Sequence, residues 1–210
     1  MKFATTLLSL AVVVAAPAAF AQSTDVSVTG IIHPGSCDIQ LGGNGTIELG
    51  TLNTANLNTD VPTDLEPRTM TLAVACDSPM RFALEGIDNR QESSVYTQMY
   101  GLGMTPESER IGGAALSVEE PKADDAAAYG TQSVDSGTTW DASTATPLTP
   151  LIPDSLRGFT TEQGVTTGPA PISALTGNLV VGVRIQPTDV MRLTGEVDIT
   201  GNITLNVIYL

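Results

Sequence analysis

The side chains suited to chemistry are few and scattered. His33 is the single histidine and stands before Pro34 in a strand-like stretch, so a serine or cysteine triad would rest on it alone. No Gly-x-Ser-x-Gly elbow accompanies it, and a packed or surface histidine is the plainer reading. Asp88 and the pair Asp124-Asp125 are candidate acids for hydrolysis, but the sequence sets no two carboxylates across a cleft. Gly42-Gly43-Asn44-Gly45 lacks the Lys-Ser/Thr of a phosphate loop and reads as a turn. No calcium loop of the D-x-D-x-D-G type occurs. Cys37, Cys76 and one histidine do not make a zinc set. Asn44-Gly45-Thr46 and Asn202-Ile203-Thr204 match the glycosylation tripeptide, the second within an apolar strand, where a chance match explains it better. No enzyme, cofactor or metal site is expected.

The cysteines find a use in the compartment implied by the N-terminus. "MKFATTLLSLAVVVAAPAAFAQ" has a positive n-region at Lys2, an apolar stretch from Leu7 to Ala16 and a small-x-small site at Ala19-Phe20-Ala21. The apolar run falls short of the about 20 residues of a comfortable membrane span, and Pro17 interrupts its end. Residues 1–21 therefore read as a secretory signal, with the mature chain starting at Gln22. Two cysteines after such a signal favour one disulfide, Cys37–Cys76, over two buried thiols. Closing that loop contributes roughly 4 kcal/mol in the chain-entropy model. Acids outnumber bases by 23 to 9, which speaks against nucleic acid as a partner, since phosphate recognition needs clustered Lys and Arg.

The mature length suits a single domain, 22–210. Helical periodicity is nearly absent. Strand candidates are 25–33, 45–52, 68–76, 81–88, 114–120, 178–186 and 196–210, separated by Gly-Asn-Gly, Ser-Pro, Gly-Gly and Thr-Gly turns. That pattern predicts an all-β sandwich, and with only 4% aromatic residues the core must rest on Val, Ile and Leu. Residues 120–158, rich in Ser, Thr, Ala, Asp and Pro, read as a long surface excursion with an edge hairpin around Thr138 to Ala142. Residues 162–173 read as a second loop.

The two ends pose one question together. "GNITLNVIYL" closes the chain with Ile203, Leu205, Val207 and Tyr209 on one face, a core-like strand with nothing after it to pair with. Exposed apolar edges invite pairing with another chain and are normally suppressed. "QSTDVSVTGIIHPGSC" opens the mature chain with Val26, Val28 and Ile32 on one face, able to act as a strand outside its own domain. A sandwich one strand short beside its last strand would need a strand from elsewhere, and strand donation supplies one through main-chain bonds and alternating pockets.

These stretches resemble the chaperone–usher pilins along the whole mature chain. "TGIIHPGSC" resembles the first pilin strand with its disulfide cysteine, "TMTLAVAC" the strand with the second, and Tyr209 holds the penultimate position favoured there. "VTGIIHPGSC", "FALEGIDNR" and "YGLGM" with "IGGAALSVE" look like a largely uncharacterised branch of fimbrial-like secreted proteins. The resemblance implies an incomplete immunoglobulin-like β-sandwich of pilin type. It also implies a periplasmic chaperone, an outer-membrane usher and neighbouring pilin subunits as partners. Export through the periplasm to a cell-surface fimbria supporting adhesion or biofilm would follow. Val26 and Val28, within a donor extension at 22–29, would enter a neighbour's groove, and Ile203, Leu205, Val207 and Tyr209 would line this chain's own. Two departures stand out: Val197 occupies the position fourteen from the C-terminus where pilins often carry Gly, and the extension is short. The short extension leaves fewer side chains to fill a groove, which weakens the case for efficient polymerisation and admits a minor or terminal subunit as well as a major one. The alternative is a secreted carbohydrate-binding module, with Trp140 and Tyr129 stacking on host or surface glycans, although a single loop Trp is more often a packing anchor.

Overall fold

The computed structural model describes residues 35–210. The signal segment, the donor extension with Val26 and Val28, the strand expected at 25–33 and His33 lie outside the described residues.

The described residues form twelve strands: β1 (Cys37–Leu41), β2 (Thr63–Asp64), β3 (Arg68–Met80), β4 (Phe82–Asp88), β5 (Tyr100–Gly101), β6 (Gly112–Ala123), β7 (Ala126–Ala127), β8 (Tyr129–Ser133), β9 (Leu148–Leu151), β10 (Leu156–Thr160), β11 (Ile172–Ile185) and β12 (Ile203–Tyr209). Among the described residues there is no α-helix, only short 3₁₀ turns. The larger sheet runs β1-β3-β11-β6-β5, with β2 beside β11 and with β7 and β9 sharing the far edge of β6. The smaller runs β12-β4-β10-β8. All pairings between strands are antiparallel, the pattern of an immunoglobulin-like sandwich.

The long strands follow from their alternation. In β3, Leu72 and Val74 are buried while Thr71 and Ala75 face solvent, and in β11 Leu175, Leu179, Val183 and Ile185 are buried. These meet Phe82 and Leu84 of β4, Leu116 and Val118 of β6, and Phe159 of β10 in one core.

Several expectations need correction. Residues 120–158 are not a surface excursion: they supply β7, β8, β9 and most of β10, half of the smaller sheet. All five residues of β10 are buried, and no hairpin forms at 138–142, which is irregular backbone after β8. The stretch reads as polar because Thr131, Ser133 and Arg157 are buried polar side chains with partners inside the fold. Among the described residues, 46–52 join no ladder, Gly45 closes the preceding 3₁₀ turn, and of 196–210 only Ile203–Tyr209 is strand. Among the described residues that terminal strand is an edge, and none of its residues is fully buried. Residues 162–171 form the expected loop, and Ile172 and Ser173 already belong to β11.

Candidate functional site

The two edge strands β1 and β12 are joined at one end only. Cys37 lies directly opposite Cys76 of β3, and the two form the disulfide. The backbone N–H of Cys37 donates to the Tyr209 hydroxyl at 2.8 Å, tying the first strand of one sheet to the last strand of the other. The N–H of Leu210 donates to the carbonyl of Arg81, which fixes the chain end against the start of β4.

Away from this latch the edges part. β1 runs into Gly43, Asn44 and Gly45, all with positive φ, a turn that Gly and Asn tolerate and other residues resist. The expected turn is therefore there, and it leads the chain into an irregular segment at 46–53, extended at Thr46 and Asn53 and turned at Gly50, whose φ is positive. On the other side, residues 192–200 approach β12 as a second irregular segment, bent at Thr194-Gly195. Between them lies an open cavity of about 590 Å³. The β1 side contributes Leu41, Ile47, Leu49 and Leu52, and the β12 side contributes Leu193, Val197, Ile199, Ile203 and Leu205. Met70, Leu116, Leu179 and Val181 line it from the inner face of the larger sheet.

Both flanking segments alternate like strands. Ile47 and Leu49 are half-buried around exposed Glu48, and Val197 and Ile199 are half-buried around exposed Glu196 and Asp198. Yet among the described residues the backbone of 47–52 and of 193–199 makes no hydrogen bond. Extended backbone without a ladder partner is normally satisfied by water or by another strand. The arrangement can hold an apolar, extended segment, with main-chain groups on both sides to receive it.

Of the groove residues expected from sequence, the structure brings Ile203 and Leu205 to this cavity. Val207 is half-buried against the core, and Tyr209, about half exposed, serves the latch. Sequence reasoning missed Leu193 and treated Ile47, Leu49, Val197 and Ile199 as members of paired strands. Their alternation was the available signal.

The other candidates are occupied structurally. The Asp88 carboxylate accepts from the N–H groups of Arg90 and Gly101 at 2.8 Å each, and that of Asp124 accepts from Ser173 and Ala174. The indole N–H of Trp140 donates to the Gly137 carbonyl, and the ring packs where Gly168 lacks a side chain. Tyr129 opens β8 while Trp140 follows the turn beyond it, and neither lines the cavity. Among the described residues no cluster of three His, Cys, Asp or Glu is placed to hold a metal.

Residues 26–99, which include both cysteines, match a family model described as a protein of unknown function, DUF1120. The chain is also similar to Protein GltF of Escherichia coli (strain K12), at 25% identity over 224 aligned positions, covering 89% of this chain and 88% of that protein.

Proposed function

We propose that this chain is a structural subunit of a surface fimbria, built by donation of a strand between subunits and acting in adhesion or biofilm formation without catalysis. The observation that carries the reading is the cavity between β1 and β12, flanked by two segments outside any ladder whose alternate apolar side chains face it and whose backbones lack ladder partners among the described residues. An inserted strand would bury alternate apolar side chains there, each contributing about 1.5–3 kcal/mol before ordering costs, and would complete main-chain bonds on both sides. Val26 and Val28 would donate in turn to a neighbour. Head-to-tail contacts of this kind do not close on themselves, so they extend a filament. A periplasmic chaperone and an outer-membrane usher are the partners such assembly requires.

Two double variants test this in the native host, read by fibre formation and recovery of folded subunit. Val26→Asp with Val28→Asp should leave the subunit folded but unable to extend a fibre. Leu205→Asp with Val207→Asp should abolish folding, because it places charge against the core. If the Val26/Val28 variant misfolds as badly, the N-terminal segment is a strand of its own domain and the reading falls.

A further inference from the structure

The apolar cavity has charged margins of one sign. Across β1 and its continuation to Asn53, the charged residues are Asp38 and Glu48; from Leu193 to the C-terminus they are Glu196 and Asp198. No Lys, Arg or His stands among them. The nearest cation in sequence, Arg192, is engaged with Glu109, whose carboxylate it meets through both backbone N–H and guanidinium. Glu48, Glu196 and Asp198 are exposed and alternate with the half-buried Ile47, Leu49, Val197 and Ile199.

That alternation determines what an inserted strand would meet. Its inward side chains would enter the apolar cavity, and its outward ones would become cross-strand neighbours of the acids, with Cβ atoms roughly 5 Å apart. Opposite charges at such positions stabilise a pair, and like charges oppose it. A second copy of this chain supplies the wrong complement. If Val26, Val28, Gly30 and Ile32 face inward, the outward residues are Asp25, Ser27, Thr29, Ile31 and His33, with no Lys or Arg among them. The copy as a whole carries the same net charge of −14.

Resting on the strand-acceptor reading, we propose that the strand this seam accepts carries Lys or Arg at its outward positions and comes from a different, more basic protein, not from a second copy. The chain then joins unlike neighbours.

The test titrates the full exported protein with three synthetic peptides, followed by calorimetry. One copies residues 22–34, the second carries Ser27→Lys and Thr29→Lys, and the third scrambles the second. The lysine peptide should bind about 10-fold tighter than the copy at low salt, from added cross-strand charge pairs. That advantage should shrink toward nothing at about 1 M salt, where the screening length is about 3 Å. It should also vanish in the Glu48→Gln, Glu196→Gln, Asp198→Asn variant. Equal affinity of the first two peptides, an advantage that survives in the triple variant, or scrambled-peptide binding as tight as the lysine peptide's would each overturn the charge selection while leaving strand acceptance standing. Binding by none of the peptides would overturn strand acceptance and this inference together.

Discussion

Single residues make this sandwich possible at points where the chain has no spare room. Gly86 of β4 lies opposite Leu205 of β12, and any Cβ there would overlap the hydroxyl of Tyr100. The absent side chain lets the fully buried Tyr100 pass into the core and donate to the Leu151 carbonyl. Burial pushes the Tyr100 phenol far above its ordinary range, which keeps it a neutral donor. Arg157, also buried, donates to the Pro150 carbonyl and the Gln132 amide oxygen at 2.7 Å each, holding β10 to β9 and β8. Loss of solvation lowers its pKa to about 10, against an opposing pull from Asp141, so it remains charged at neutral pH. Asp135, in the turn after β8, accepts from the Thr139 hydroxyl and N–H and from the Ser133 hydroxyl. Those bonds, Thr139's first, lower its pKa to about 2 from 3.8. A depressed carboxylate contributes stability above its unfolded pKa and loses it as pH falls through the folded one. Asp135→Asn should therefore melt below wild type at pH 6, with the gap closing between about pH 4 and pH 2. A gap unchanged at pH 2 would show that the turn does not depend on the carboxylate charge.

At the scale of elements, what the sequence reveals depends on how each strand is buried. β3, β4, β6 and β11 are legible because one face is apolar and the other is not, so Leu72 and Val74 announce themselves beside Thr71 and Ala75. β8 and β10 are hidden because they are short and covered on both sides, with Gly130 and Gly158 filling places too tight for a side chain and the buried Thr131 and Thr160 hydrogen-bonded to backbone carbonyls. Gly158 meets Pro169 and Gly130 meets Thr149 where a Cβ would stand. The candidate site is half legible for a different reason. Alternation reports which way side chains face, not whether the backbone is paired, so 45–52 and 196–199 read as strand and their missing partners do not show. One consequence is testable. Replacing Lys122–Thr149 with a short Gly-Ser linker removes β7, β8 and half of β9, strips β10 of one neighbour and removes the Gln132 amide that receives Arg157. An uncompensated buried charge costs about 3–5 kcal/mol, so the variant should fail to accumulate as soluble protein. A soluble variant with native far-UV circular dichroism would mean that β12, β4 and β10 hold the smaller sheet without β8.

At the largest scale, the described residues form a sandwich closed at one end of a seam and open at the other, and the disulfide stands at the closed end. Among them β1 has β3 as its one ladder partner and β12 has β4, so each sheet presents an edge strand to the seam. Nothing in a five-residue strand with one neighbour keeps it from peeling, least of all beside an open cavity. Three contacts oppose this: the β1–β3 ladder, the Tyr209 hydroxyl on the Cys37 N–H, and the covalent bond from Cys37 to Cys76. The covalent bond dominates, since a loop of 39 residues closed by a disulfide corresponds to roughly 4 kcal/mol, against about 1 kcal/mol for a typical hydrogen bond. A domain with 5–15 kcal/mol of total stability depends heavily on such a bond. Cys37→Ser with Cys76→Ser should thus lose about 4 kcal/mol in urea unfolding. Local damage should precede global unfolding, with protease cuts appearing first between β1 and β2, across Gly42 to Pro62, while the β3–β11–β6 ladder persists. Tyr209→Phe in the oxidised protein should lose only about 1 kcal/mol. If the cysteine variant loses no more than the Tyr209 variant, the ladder alone holds β1, and the open end of the seam does not depend on the staple at its closed end.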